Sequence, residues 1–558
     1  MLKRLESIVA SSCILEEPVP ILDFHEFFSS RSIDYAGDEI KLAKNICWAS
    51  VSPALPDEVA QLDIREFCEG GVRYFLDHFE DFLIPEDELV VGKPPKVMVD
   101  DKHWLELAQG LVEKGICEIF RESELFHVRD TVLVNGLFGV SKGEFVNEVE
   151  VCRLIMNLKP VNRNCRPLTG DTATLPTATC LGNVILDQDE TLITSSEDIK
   201  CFFYLFKVPV TWRKFFGFGK PVPREMLDES FGDEKGYLVS RVLPMGWLNS
   251  VGVAQHIHRN VVRRCLGSLH SPMGGESELR RDRGFTTSRN LFRVYLDNFD
   301  QLKIVDKKTA MVISGEPSLE VEHLREAYAL RGLPRHPKKA AEQQLAAEVQ
   351  GAWIDGQAGR LFAKPSKIAK YVALILQVLR TGAASQRELQ VLGGGLVYIA
   401  MFRRPLLSGL NQIWRCIVEL EGRPVGYRAP LRREVVHELS RFVGLLPLGF
   451  SDLRAQPSCL VTASDASTTG GGVCVSRGLT PYGAAAALSS VRGDLPEEHD
   501  FVQVLSIGLF DGISGLRVAC DVLGLPIAGH ISVEASEEAR RVVELFPRYD
   551  LCGGRQGH

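Results

Sequence analysis

The run Arg293-Val294-Tyr295-Leu296-Asp297-Asn298-Phe299-Asp300-Gln301-Leu302 leaves few conformations open to it. Val294 and Leu296 suit a strand, and Asp297-Asn298 suits a two-residue turn because both side chains tolerate positive φ. A second extended run follows over 301–305. Such a hairpin lifts the Asp297 carboxylate to an exposed tip. One aspartate at a turn is ordinarily a turn residue and nothing more, so its meaning depends on what else the chain brings to it.

A chain of 558 residues exceeds what one core can hold, which predicts about three or four folding units. With 45% apolar and 24% charged residues the composition is that of a soluble globular protein. The longest apolar runs, around 371–379 and 395–402, fall short of the roughly 18 residues a membrane span requires. The start, Met1-Leu2-Lys3-Arg4 and on to Leu15, is interrupted by Glu6 and followed by Glu16-Glu17, which favours a short amphipathic helix over a signal peptide. The 14 cysteines include no Cys-x-x-Cys pair. That argues against zinc knuckles and a disulfide framework, and for reduced thiols inside a cell, in cytoplasm or nucleus. Net charge is −8, unevenly spread: residues 1–130 hold 13 Lys+Arg against 27 Asp+Glu, and 360–440 hold 13 against 5 Glu and no Asp. A basic segment in an acidic chain suits local phosphate binding, although a solvated helical face has the same composition.

Residues 1–95 are mixed helix and loop, with aromatic clusters (Phe24, Phe27, Phe28; Tyr74, Phe75, Phe79, Phe82) that read as core. A helix is expected from Trp104 to a closing glycine at Gly115, then strands at 131–134 and 137–140 with Ser141-Lys142-Gly143 as a turn. The alternation from Arg153 to Leu158 suits a strand that Pro160 stops. Lys142 and Arg153 can then face one cleft and neutralise a polyphosphate. Asp198 precedes a bulky aromatic, Phe203, by five residues, and Leu243-Pro244-Met245-Gly246-Trp247-Leu248-Asn249-Ser250 opens a helix running to about Arg264. Residues 266–290 look like an exposed polar insertion. A helix around 317–331, Gly332-Leu333-Pro334-Arg335-His336-Pro337-Lys338-Lys339 and a strand pair over 349–356 close the block.

These segments resemble the successive motifs of retroelement reverse transcriptases. The likeness runs through Arg153 to Asn162, Asp198 to Phe203, Leu243 to Ser250, Tyr295 to Asn298, Gly332 to Lys339 and Val349 to Gly356. Each fragment alone is weak; six in the right order are specific, and the likeness covers residues 110–410. It implies an α+β fold with a right-hand polymerase core: an N-terminal region of unknown role (1–95), fingers (96–185), palm (186–358, with the insertion at 266–290) and thumb or connection (359–450). It also implies an RNA-directed DNA polymerase that takes an RNA or DNA template-primer and deoxynucleoside triphosphates. Two Mg²⁺ ions would be held by Asp198, the carbonyl of Ile199, Asp297 and Asn298. By the same likeness Lys142 and Arg153 would bind the triphosphate, Phe203 would gate the ribose, Met245 and Gly246 would line the nucleotide pocket, and Lys338 would meet the leaving pyrophosphate. Three departures stand out. Asn298 occupies the place of the second Asp of Tyr-x-Asp-Asp, Asn157 and Lys159 replace the usual Asp and Arg, and Met245 replaces a polar or aromatic residue. Asp300 is the candidate to make good the missing charge.

Downstream, Ser385-x-x-Glu388 is a capping box starting a helix from Leu389 to Phe402, with another helix at 365–380 whose basic residues suit template phosphates. Residues 457–480, with Asp465 on the first strand, resemble an RNase H-like hairpin; a structural hairpin is expected there and not a working nuclease. Residues 500–558 read as strand, glycine loop, helix and strand, a short Rossmann-like α/β segment. They resemble the cofactor loop of cytosine-5 DNA methyltransferases. Phe510, Asp511, Gly512, Ile513 and Glu534 would touch S-adenosylmethionine by that likeness, but no Pro-Cys dipeptide occurs, so a truncated remnant without methyl transfer is expected. The alternatives to a polymerase are a methyltransferase-type fusion with a retroelement leader, and a catalytically dead relic that only binds nucleic acid.

Overall fold

A computed structural model describes residues 43–168, 171–267, 277–282, 288–424 and 426–455, and beyond them the backbone of strands at 460–466, 471–477, 504–509, 527–533 and 550–551. The chain forms two units, Met1–Ala455 and Gln456–His558. The readings made for Met1–Leu15 and for Phe24, Phe27 and Phe28 lie outside the described residues.

The first unit mixes helix and antiparallel sheet. Helix α1 (Asp101–Glu113) ends, as its glycine predicts, two residues before Gly115 at φ +79°, with Lys114 as the cap between. Strand β1 (Cys117–Arg121) follows. The hairpin of β2 (Gly136–Val146) and β3 (Val149–Asn157) corrects the sequence reading of Ser141-Lys142-Gly143 as a turn. Ser141 still pairs with Cys152; Lys142, Gly143 and Glu144 interrupt the register of one long strand, and the chain reverses at Asn147-Glu148, both at positive φ. Beyond β3, Pro160 is the second residue of a short helix, Lys159–Asn164, where its missing N–H costs nothing.

Next come β4 (Glu190–Asp198), β5 (Gly217–Pro221), β6 (Gly236–Ser240) and the long helix α2 (Ser250–Gly267). Strands β7 (Asn290–Tyr295) and β8 (Asn298–Asp306) form the hairpin, and α3 (Leu319–Leu330) and β9 (Ala341–Gln344) follow. Four of these strands make one antiparallel sheet in the order β7-β8-β4-β9. Its two faces feed different cores. Phe292, Val294 and Phe299 join a core with Val253, Ile257 and Val261 of α2 and Val321, Leu324 and Tyr328 of α3. On the other face Leu192, Leu291 and Leu302 join a second core built from the segments that follow.

Those segments are a second sheet, β10 (Ala346–Val349), β11 (Ala352–Asp355), β12 (Arg360–Ala363) and β13 (Phe450–Asp452), and helices α4 (Pro365–Thr381), α5 (Gln386–Ala400), α6 (Asn411–Glu419) and α7 (Arg433–Leu445). The capping box at the start of α5 forms as read: Ser385 Oγ accepts from the Glu388 N–H at 3.2 Å and Glu388 Oε2 accepts from the Ser385 N–H at 2.5 Å. In the 266–290 stretch, read as an exposed insertion, the described residues are mixed: Gly267, Arg281, Asp282 and Arg289 are exposed. Glu278 and Leu279 are buried, and Glu278 pairs with Arg259 of α2 because a buried carboxylate requires a partner. Among the described residues no helix is long and apolar enough to cross a membrane.

In the second unit Leu460–Ala466 and Gly471–Arg477 are antiparallel, with Asp465 opposite Gly472. Val504–Leu509 and Ile527–Val533 pair in parallel, and Asp550–Leu551 adds alongside.

Candidate active site

Two ladder registers decide where the acidic residues go. Asp198, the last residue of β4, pairs with Asn298, the first residue of β8, and Tyr295 pairs with Asn298 across the hairpin. The turn is therefore Leu296-Asp297, one residue earlier than the sequence suggests, and Asp297 sits at the same end of the sheet as Asp198. Leu296 takes φ +55°, a conformation that costs a non-glycine residue about 1 kcal/mol or more. Helix α2 imposes it. Gln255 Oε1 accepts from the Leu296 N–H at 2.8 Å, and its amide donates to the Val294 carbonyl at 2.9 Å. His258 Nδ1 donates to the Leu296 carbonyl at 2.6 Å, while its Nε2 accepts from the Tyr328 hydroxyl of α3 at 2.6 Å. Burial pushes the His258 imidazole down to about 4, so it is neutral near pH 7 and this tautomer satisfies both bonds.

Backbone bonds then lock the end of β4 on both sides. The Ile199 N–H donates to the Asp297 carbonyl at 2.9 Å, the Lys200 N–H to Pro334 at 2.8 Å, and the His336 N–H to the Asp198 carbonyl at 2.8 Å. Burial raises the Asp297 carboxyl above its usual range, and the charge of Asp198 raises it further; Lys339 and Arg153 pull it back. Two carboxylates, 99 positions apart in sequence (198 and 297), thus share one electrostatic environment.

Among the described residues each carboxylate has one side-chain donor from another residue. Lys339 Nζ lies 2.9 Å from Asp198 Oδ2, and Asn298 Nδ2 donates to Asp297 Oδ1 at 3.0 Å. The structure brings Lys339 to the acids, a residue that the sequence reading passed over for Lys338. The short Pro337–Lys339 turn decides which lysine reaches β4, and only turn geometry carries that signal. Asp300 does not stand in for a missing acid. It is buried, with Arg293 Nε at 2.8 Å and Ser196 Oγ at 2.6 Å, and Arg293 is itself fully buried. Among the described residues no group of three His, Cys, Asp or Glu side chains is placed to hold a metal.

The other expected residues fall around this end of the sheet. Arg153 is exposed on β3 and opposite Val140, and no ion pair holds it among the described residues. Lys142 lies in the β2 irregularity, 3.7 Å from Glu144, and its charge and that of Lys339 both act on the Cys201 thiol. Phe203 is half-buried in the short helix Phe202–Leu205 that follows Cys201 at φ +54°. Met245 is exposed. Gly246 is needed for packing: a Cβ there would lie 1.9 Å from the Met156 carbonyl oxygen. Asn162 ties the same loop down, donating to the Gly246 carbonyl at 2.9 Å and accepting from the Leu248 N–H at 2.8 Å. Phe510, Asp511, Gly512, Ile513 and Glu534 lie outside the described residues; the parallel strands before and between them are described as backbone.

No protein-family model matches the chain, and no curated protein does. Among solved structures it is similar to the foamy viral protease-reverse transcriptase dRH in complex with double-stranded DNA, at 13% identity and TM-score 0.44, over 89% of this chain and 83% of that one. It is also similar to the foamy viral protease-reverse transcriptase in complex with an RNA/DNA hybrid, at 14% identity and TM-score 0.43, over 90% of this chain and 64% of that one. Likeness at that level leaves the reading of the site to its own geometry.

Proposed function

We propose that the first unit is an RNA-directed DNA polymerase of the right-hand type, with Asp198 and Asp297 as its catalytic acids. One observation carries the reading: ladder register puts both aspartates at one end of a sheet, close enough for the charge of one to raise the carboxyl of the other. Structural carboxylates avoid such pairing, because like charges that share a site disfavour each other's ionised form. Two carboxylates and the Asn298 amide offer hard oxygen donors, which suits Mg²⁺ with Asp198, Asp297 and Asn298 as the holding residues and the Ile199 carbonyl beside them. Bound there, Mg²⁺ would supply charge stabilisation for in-line attack of a primer 3′ hydroxyl on an α-phosphate.

The chain's own residues do the positioning. Arg153 is exposed on β3 with no ion pair among the described residues, and with Lys142 would neutralise a triphosphate arriving over Asp297. Phe203, following the Asp198 strand end, would sit against the sugar of an incoming deoxynucleotide. Met245 is exposed on a loop that Gly246 and Asn162 fix in place, so it would meet the base pair. The substrates of this reading are a template-primer and deoxynucleoside triphosphates. Primer extension on poly(rA)/oligo(dT) with Mg²⁺, comparing the chain with Asp297→Ala, tests it; equal incorporation by both removes Asp297 from the mechanism.

A second reading has its own observation. Asn298 lacks the charge of an acid, which favours a protein that holds nucleic acid without extending it. Retention of a labelled template-primer by a chain that incorporates nothing, at any divalent cation concentration, would select this reading.

A further inference from the structure

We infer that the carboxylate pair is built for a single divalent cation, with the Lys339 ammonium serving as a fixed second positive charge. This inference rests on the polymerase reading of the same site and narrows it. It begins with the donors at the sheet end. Lys339 Nζ holds Asp198 Oδ2 at 2.9 Å, and Asn298 Nδ2 holds Asp297 Oδ1 at 3.0 Å. A cation drawn to the pair therefore meets one carboxylate oxygen already neutralised and another already hydrogen-bonded. What remains suits one hard ion, since Mg²⁺ is commonly held by one or two carboxylates and completes its shell with water or phosphate.

Among the described residues no third acid is in reach. The residue facing Asp198 across the ladder is an amide, Asn298. The next acid along that face of β8 is Asp300, which is committed to Arg293 and Ser196. A second divalent ion would have to displace an ammonium and settle on an amide oxygen, losing both charge and a donor atom.

Lys339 is more than a surface lysine that happens to point inward. Its backbone N–H donates to the His336 carbonyl at 2.9 Å, and the His336 N–H donates to the Asp198 carbonyl at 2.8 Å. Arg335 of the same segment reaches Glu197 with two bonds, at 2.7 and 2.8 Å. The loop that carries the lysine is thus tied to β4 on either side of Asp198's own backbone. The lysine side chain is 58% exposed, so its truncation leaves no cavity.

The experiment counts cations on the full chain with Mn²⁺ as the probe, by calorimetry and by the electron paramagnetic resonance signal of free Mn²⁺. The number sought is the difference between the chain and Asp297→Asn, which subtracts adventitious ions on the acidic surface. One ion of difference is expected. Lys339→Met should tighten that ion by about tenfold (~1.4 kcal/mol), because a competing cation has gone. Lys339→Arg should restore the original affinity, and the double variant Lys339→Met/Asn298→Asp should take up a second ion. Far-ultraviolet circular dichroism and melting curves are recorded for every variant, so that loss of fold is recognised as such. A difference of two ions in the unaltered chain overturns the inference and leaves the polymerase reading standing. So does an affinity that Lys339→Met does not change. A difference of zero overturns both.

Discussion

Glu197 and Asp198 are neighbours on β4, yet they leave the strand on opposite faces of the sheet and meet opposite treatment. On the helix-covered face Glu197 is fully buried and saturated. Arg325 of α3 donates to it at 2.6 Å, Arg335 adds two bonds, and Arg325 goes on to Glu342. On the other face Asp198 has one lysine and faces a second carboxylate. The same chemistry, one residue apart, is closed off in one place and left short of positive charge in the other. A saturated acid holds the fold together, whereas an under-compensated pair stores attraction for something that arrives later.

Exchanging the two roles gives the largest expected effects. Asp198→Ala should cut primer extension at least about a thousandfold, equivalent to ~4 kcal/mol in the barrier, and leave the urea midpoint unchanged or slightly higher because a like-charge repulsion is gone. Glu197→Ala should do the reverse to the fold, costing about 3 kcal/mol by stranding the Arg335 guanidinium and taking one of two acids from Arg325. If both variants lose stability equally, the contrast between the faces is void.

The helix-covered face also holds the turn, and acid should expose that. His258 has a pKa of about 4 in the fold against 6.5 for an unperturbed imidazole. Between those values the unfolded chain binds a proton that the folded chain does not, so stability falls as pH falls through that window, by about 3 kcal/mol at its lower end. Urea melts at pH 7 and pH 4.5 for the chain and for His258→Gln should show this loss in the first and little of it in the second.

On the face of Asp198, Asn298→Asp should change incorporation by less than about tenfold, since it adds a negative charge but removes the donor to Asp297. A larger gain would mean that Lys339 does not take the place of a second cation. The smallest effect is expected at the turn that joins the faces. Leu296→Gly should relieve about 1 kcal/mol of backbone strain but lose the side chain's packing against the first core, so that stability changes little while incorporation falls a few-fold.

The parts of this site that were legible before the structure are those carried by residue type. Asp198 and Asp297 were singled out by motif resemblance and the capping box at Ser385 by its local residue types; the structure forms the cap and brings the two aspartates to one end of a sheet. The Leu296-Asp297 turn was misplaced by one residue for a physical reason. Nothing in leucine favours positive φ, and the conformation is dictated by Gln255 and His258 some forty positions away. The same holds for Lys339: adjacent lysines are equivalent until a turn aims one of them. Ser141-Lys142-Gly143 has turn composition, yet the strand runs on because β3 continues to pair with it as far as Val146. At Leu296 the fold overrode a local preference at a cost of about 1 kcal/mol, which tertiary contacts readily supply.

The sheet that carries the acids is a party wall. Phe299 leans into one hydrophobic core and Leu302, three residues on, into the other. The aspartates stand on the end of that wall, so damage on either side of it reaches them. A genetic screen for loss of activity should therefore return lesions scattered through both halves of the unit, many far from any substrate. A suppressor of one need not lie in the same half as the defect it repairs.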